Sequence, residues 1–293
     1  MKILVTGANG QLGRSIHKIV ANNKQSNEFI FAGRDELDFS KNSNITNYFE
    51  ENNFDVVINC AAYTAVDKAE SETKLANQIN HLAVEKLATI AQKKNIKLIH
   101  ISTDYVFDGN SSQPYMETDK TNPINVYGRT KLAGEQAVQK LMPTNAIIIR
   151  TSWVYSEYGN NFVDTMLRLS KERNELSVVS DQIGSPTYAT DLAGAILEII
   201  QNKEFNKADQ ATQIYHYSNL GECGWDSFAK EIFRLSSIQC SVDSITTEQY
   251  PTPTQRPLNT SMNKDKIVTK FDLEIPNWKD SLNTCIALLQ KEN

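Results

Sequence analysis

The chain has 293 residues, 40% hydrophobic and 22% charged, with a formal net charge of -5. That is enough length for one large α/β domain and a smaller partner. The negative balance argues against nucleic acid as a partner, and no apolar stretch approaches the roughly 18 residues of a membrane span. The N-terminus enters a strand at Ile3-Leu4-Val5 with no signal-peptide series before it. The four cysteines form no Cys-x-x-Cys pair and the four histidines are scattered. These features point to reduced thiols in a cytoplasmic protein, without a disulfide framework or a metal centre.

Strands are predicted at Lys2–Thr6, Phe29–Ala32, Val56–Cys60, Lys97–Ser102 and Ala146–Arg150. Val56-Val57-Ile58 and Ile147-Ile148-Ile149 are continuous rather than alternating, as parallel strands buried on both faces require. Between strands, Leu12, Ile16, Ile19 and Val20 share one helical face, and Leu82, Leu87, Ile90 and Ala91 share another. The alternation predicts an α/β fold, a Rossmann-type doubly wound parallel sheet over residues 1–150.

Directly after the first strand, Gly7, Gly10 and Gly13 recur at every third position and lead into the Leu12–Val20 helix. Glycine lets the backbone turn sharply and approach a pyrophosphate, and a helix N-terminus favours the anion. Gly7, Gly10, Gln11, Leu12 and Gly13 are therefore candidate contacts for a nicotinamide dinucleotide. The second strand ends in Ala32-Gly33-Arg34, with no acid where NAD enzymes hold the ribose hydroxyls. Arg34 can pair with the 2′-phosphate of NADP or be a solvated surface cation. NADPH is thus placed ahead of NADH without excluding the latter. Asp38 and Phe39 fall beside the expected adenine, and Ala62, Tyr63 and Thr64, after the third strand, beside the ribose and nicotinamide.

Ser102-Thr103 closes the fourth predicted strand, and Tyr127-Gly128-Arg129-Thr130-Lys131 follows in a helical stretch. Four-residue spacing puts Tyr127 and Lys131 on one helix face. Free tyrosine, with a pKa near ~10, is a poor acid–base group at neutral pH. A neighbouring ammonium and an oxidised nicotinamide favour the phenolate and bring it towards the working range. The pair alone arises by chance in a chain of this size. Its position carries the weight, because Thr103 and Tyr127 both fall at the carboxyl edge of the sheet. Thr103, Tyr127 and Lys131 are candidate catalytic residues. Tyr127 would protonate a carbonyl oxygen, Lys131 would support it and reach the nicotinamide ribose, and Thr103 would hydrogen-bond the substrate or Tyr127.

Beyond Arg150 the pattern loosens. Helices are predicted at Phe162–Arg173, Asp191–Gln201, Trp225–Leu235 and Trp278–Gln290, with a short strand at Leu176–Val179. Tyr250-Pro251-Thr252-Pro253 must be a loop. Residues 151–293 read mainly as a smaller C-terminal substrate-binding lobe over the carboxyl ends of the strands. Residues 180–205 or thereabouts are expected to return to the first domain.

Several longer segments are more specific. They include Ala62-Tyr63-Thr64-Ala65-Val66-Asp67-Lys68-Ala69-Glu70, Ser102-Thr103-Asp104-Tyr105-Val106-Phe107-Asp108-Gly109 and Arg150-Thr151-Ser152-Trp153-Val154-Tyr155. With Asn125 to Glu135, Gly184-Ser185-Pro186-Thr187 and Arg256-Pro257, they make the chain resemble the dTDP-4-dehydrorhamnose reductases along essentially its whole length. These belong to the extended short-chain dehydrogenases/reductases. The resemblance implies reduction of the 4-keto group of a dTDP-linked 4-keto-6-deoxy sugar, yielding dTDP-L-rhamnose. It implies that Tyr127 is the proton donor, that Lys131 positions cofactor and tyrosine, and that Thr103 adjusts the tyrosine's acidity. Thr103, Asp104 and Trp153 would meet the sugar, and Arg256 the diphosphate or nucleotide. Plain core packing for Trp153 and a surface salt bridge for Arg256 are the competing readings. Some family members dimerise through magnesium held by glutamates. Ser15 and Thr190 stand at those positions here, so a monomer or an ordinary homodimer is expected and no metal site. The stretch Asn259-Thr260-Ser261-Met262-Asn263 follows the family pattern loosely, which leaves nucleotide and sugar preference open.

Two other readings compete. A nucleotide-sugar dehydratase or epimerase would share the fold, but related dehydratases carry Asp-Glu after the threonine where this chain has Asp104-Tyr105. A non-enzymatic regulatory subunit, of the kind found with a methionine adenosyltransferase, is allowed by the fold alone. An intact Thr103, Tyr127 and Lys131 set would serve no purpose there.

Overall fold

Strands form where the apolar runs are continuous. The computed structural model describes residues 1–23 and 26–292. Its strands β1 (Lys2–Thr6), β2 (Glu28–Ala32), β3 (Val56–Asn59), β4 (Lys97–Thr103) and β5 (Ala146–Thr151) coincide with the predicted runs to within a residue or so. A further strand, Gln213–His216, completes a 6-stranded parallel sheet in the order Gln213–His216, β5, β4, β3, β1, β2. That last strand was not foreseen and lies outside the 180–205 segment expected to return to the first domain. Four residues of mixed polarity give no periodic signal; pairing with Ile147–Arg150 on β5 decides its conformation.

Because strand side chains alternate, the two faces collect different residues. Ile3, Val5, Ile58, Ile99 and Ile149 pack under the Ala189–Gln201 and Gln11–Asn22 helices. Leu4, Val57, Leu98 and Ile148 pack under the Ala83–Lys94 and Asn42–Glu51 helices. A third cluster, including Tyr155, Val163, Leu176, Phe228, Trp278 and Leu282, is built only from residues after 150. It contains the Trp225–Leu235 and Trp278–Glu292 helices. The helix expected to run to Arg173 stops at Leu169. No helix among the described residues is long and apolar enough to cross a membrane.

The chain leaves β1 on one side to form β2 and returns on the other to form β3. The crevice at the carboxyl ends of β1 and β3 is therefore a topological switch point, where open α/β sheets bind ligands.

Candidate active site

Gly7 ends β1 at φ +64, and a Cβ there would come within 2.8 Å of backbone atoms of Cys60 and Ala61. A Cβ on Gly13 would meet Gly7 O at 2.5 Å and Ala8 Cα at 2.7 Å. Only glycine lets the turn, the first helix and the end of β3 approach this closely. Gly10 is the N-cap of the Gln11–Asn22 helix, with no side-chain cap and no acid in the first turn. The first N–H groups of that helix thus remain available to an anion. A cavity of ≈ 440 Å³ lies beside the turn, lined by Ala8, Asn9, Arg14, His17, Phe31, Gly33 and Glu36.

Several candidate contacts have other duties. The Leu12 side chain is core. The Gln11 amide donates to Val154 O at 3.2 Å and accepts from Ser156 and Asn161 at 2.9 and 3.1 Å. Only the backbone of these two residues faces the turn's task. Phe39 was expected beside the adenine, but its side chain is buried with Leu37, Ile45 and Phe49 in the core. Asp38 accepts from Ser40 N at 2.9 Å and lies 3.8 Å from both Arg34 and Lys41. The Arg34 side chain is 76% exposed, so its approach to a phosphate is unobstructed. Glu36, four residues past the end of β2, lines the cavity and accepts from Gly33 N at 2.8 Å.

At the other end of the crevice, β4 and the Val126–Leu141 helix bring the catalytic candidates together. Asn125 caps that helix by accepting from Gly128 N at 2.8 Å. A Cβ on Gly128 would collide with Tyr105 O, so glycine lets the first turn lie directly on the segment after Thr103. Tyr127 packs with Tyr63, Val126, Ala69 and Ala76, and stands edge-on to Tyr105 at 5.7 Å. Burial pushes its hydroxyl up to about 12, against a hydrogen bond with Thr103 that works the other way. Lys131 Nζ donates to Ile101 O at 2.6 Å. Burial also lowers Lys131 to about 8, with Glu135 and Cys60 opposing.

Thr103 Oγ1 donates to Asp104 Oδ1 at 2.9 Å and accepts from Tyr105 N at 3.2 Å. Burial raises Asp104 to about 6, with Thr260 and Thr103 opposing. Trp153 follows β5, and Thr151 pairs in register with Thr103. It lies beyond the sheet at φ +48, stacked on Trp225. Arg256 Nη2 holds both oxygens of Asp67, at 3.1 and 2.9 Å. The salt bridge exists, and it engages one terminal nitrogen of the guanidinium.

Two supporting elements were missed. Asn80 sits in a π turn, Gln78–Leu82, a feature common at functional sites. Its side chain accepts from Tyr63 N at 2.8 Å and donates to Tyr63 O at 3.1 Å, which fixes the Ala62–Thr64 segment, while Thr64 itself is exposed. It also donates to Thr130 at 3.2 Å, tying that segment to the helix of Tyr127. No periodicity marks such an asparagine. The second element is a buried ion pair: Arg150 Nη2 lies 2.7 Å from Glu135 Oε2. Glu135 is one turn beyond Lys131. At the positions weighed for a magnesium bridge, Ser15 is buried and its hydroxyl donates to Gln11 O at 2.9 Å, while the Thr190 hydroxyl is buried.

Comparison with known proteins bears on this arrangement. The profile described as the RmlD substrate binding domain matches residues 1–291. A protein of Sinorhizobium fredii named dTDP-4-dehydrorhamnose reductase is 40% identical over 296 residues, covering 100% of this chain and 99% of the relative. A crystal structure of a dTDP-4-dehydrorhamnose reductase from Clostridium acetobutylicum superposes with TM-score 0.91 at 42% identity, covering 99% of this chain and 100% of that one. One from Bacillus anthracis, solved in complex with NADP, superposes with TM-score 0.90 at 38% identity, covering 98% and 99%.

Proposed function

The chain belongs to the dTDP-4-dehydrorhamnose reductase family, and from that premise we propose that it uses NADPH to reduce the C4 ketone of dTDP-6-deoxy-L-lyxo-4-hexulose to dTDP-L-rhamnose. The observation that carries the reading is the convergence of Thr103, Tyr127 and Lys131 at the carboxyl edge of a sheet whose β1 ends in an uncapped glycine turn.

The turn fits a dinucleotide. The tight turn that Gly7 and Gly13 permit and the open helix N-terminus would hold its pyrophosphate, with Arg34 outside for a 2′-phosphate and Glu36 available to ribose hydroxyls when NADH is used instead. When bound, NADPH supplies the hydride that C4 accepts. The protein's task is then a single proton. The Tyr127 hydroxyl is protonated at neutral pH, the form a proton donor needs. As the carbonyl electrons move onto oxygen, Tyr127 gives its proton to that atom. Lys131, charged below about 8, favours the phenolate left behind and would hold the nicotinamide ribose. Thr103 and Asp104 hold the sugar, Trp153 bounds it and Arg256 takes the diphosphate, with residues 151–293 forming most of that side of the site. The setting is cytoplasmic. Beside Asp104, Tyr105 offers no carboxylate to remove a C5 proton, which favours reduction over dehydration.

Two measurements test the reading. The purified protein oxidises NADPH when the keto sugar is generated in situ; no turnover with either NADPH or NADH would overturn the assignment. Lys131 loses its proton as pH rises through about 8, so kcat/KM for NADPH declines through that range. Lys131→Arg, which does not titrate there, should abolish the decline whatever its absolute rate. A decline that persists unchanged would remove Lys131 from that role.

A further inference from the structure

A bulky residue with positive φ is a rare and costly conformation that persists only where its surroundings impose it. Trp153 at φ +48 is such a residue, and its surroundings can be named. One face of its indole lies on Trp225 at a centroid distance of 3.5 Å and an interplanar angle of 9°. Gly184 packs against the same ring: a Cβ there would stand 2.8, 2.9 and 3.0 Å from Cε2, Nε1 and Cζ2. The backbone on either side is pinned as well. Thr187 N donates to Trp153 O at 3.2 Å, and Ser152 Oγ donates to Ser185 O at 2.7 Å.

Trp225 is itself anchored. It opens the Trp225–Leu235 helix and touches Phe162 at 4.6 Å in the third core cluster. The pair therefore connects that core to the reaction site. Ile183, next to Gly184, accepts from Thr260 N at 2.9 Å, and the Thr260 hydroxyl in turn bonds Asp104. With one face covered by Trp225, Trp153 can offer a ligand only the remainder of its surface.

We propose that Trp225 is a positioning residue for sugar recognition: by stacking on Trp153 it holds that indole in its left-handed conformation as the fixed wall of the sugar subsite. This rests on the reading above that Trp153 bounds the sugar. A stacked aromatic pair contributes about 0.5–1.5 kcal/mol beyond its buried area. Losing it frees Trp153 to leave the strained conformation, and the sugar must then bind a wall that is only partly populated.

The test uses the full chain and two readouts. Two indoles this close give an exciton couplet in far-ultraviolet circular dichroism, present in the free wild type and lost in Trp225→Leu. The KM for the keto sugar should rise roughly tenfold in that variant, with the KM for NADPH within about twofold. Trp225→Phe loses the couplet but keeps a stacking ring, so it restores most of the sugar KM. Should Trp225→Leu fail to fold, Gly184→Ala drives a methyl into the Trp153 ring and should raise the sugar KM by itself. A wild type without the couplet, an unchanged sugar KM in these variants, or an equal rise in both KM values would overturn the proposal. The couplet is measured without substrate. An inactive wild type would thus count against the proposed reaction, and an active wild type with insensitive variants against Trp225.

Discussion

Tyr127→Phe lowers kcat by about a thousandfold and leaves NADPH binding nearly intact. The expectation follows from what surrounds the ring. Tyr127 packs with Tyr63, Val126, Ala69 and Ala76, and stands edge-on to Tyr105. Phenylalanine preserves all of those apolar contacts, so the fold and the cofactor site are undisturbed. What disappears is the one hydroxyl placed with Thr103 and able to supply a proton. Thr103 already donates to Asp104, so it cannot substitute. The experiment pairs single-turnover rates with NADPH titration by fluorescence. A rate within tenfold of wild type would remove Tyr127 from the proton step, and a parallel loss of NADPH affinity would assign it a binding role instead.

Glu135→Gln destabilises the protein by about 3–5 kcal/mol, the usual effect of stranding one member of a buried ion pair. Glu135 is 0% exposed and Arg150 is 2% exposed, and Glu135 accepts from Arg150 Nε at 3.0 Å and from Nη2 at 2.7 Å. Removing the negative charge leaves the guanidinium without compensation beside the Phe107 ring. Thermal unfolding should move down by roughly 10 °C. Replacing both partners, Glu135→Leu with Arg150→Met, should recover most of the loss, because an apolar pair of similar size carries no desolvation cost. A Glu135→Gln melt within about 2 °C of wild type would show that the pair is not a principal element of the core. The same substitution bears on catalysis. Glu135 opposes the desolvation that lowers Lys131, so its loss moves the decline in activity to lower pH.

Much of this arrangement was legible in the sequence, for identifiable reasons. Continuous apolar runs such as Val56-Val57-Ile58 are diagnostic because parallel strands bury both faces. Glycines at 7 and 13 are diagnostic because a Cβ would collide with neighbouring backbone. Thr103, Tyr127 and Lys131 could be read as one candidate cluster because their order along the chain maps onto one edge of the sheet. Features decided by tertiary context were not legible. The Gln213–His216 strand is short and acquires its pairing from β5. The Phe39 ring joins Leu37, Ile45 and Phe49 in the core, and no periodic pattern in this turn announces it. Asn80 acts through a π turn that leaves no compositional trace, and the Trp153–Trp225 stack joins residues distant in the chain.

The most direct test of the central claim follows one hydrogen. NADPH carrying deuterium at the transferable C4 position, incubated with this protein and the keto sugar, should yield a dTDP-deoxyhexose with deuterium at sugar C4 and rhamnose stereochemistry. Oxidation of the cofactor without deuterium at that carbon, or with deuterium at another position of the sugar, would contradict it.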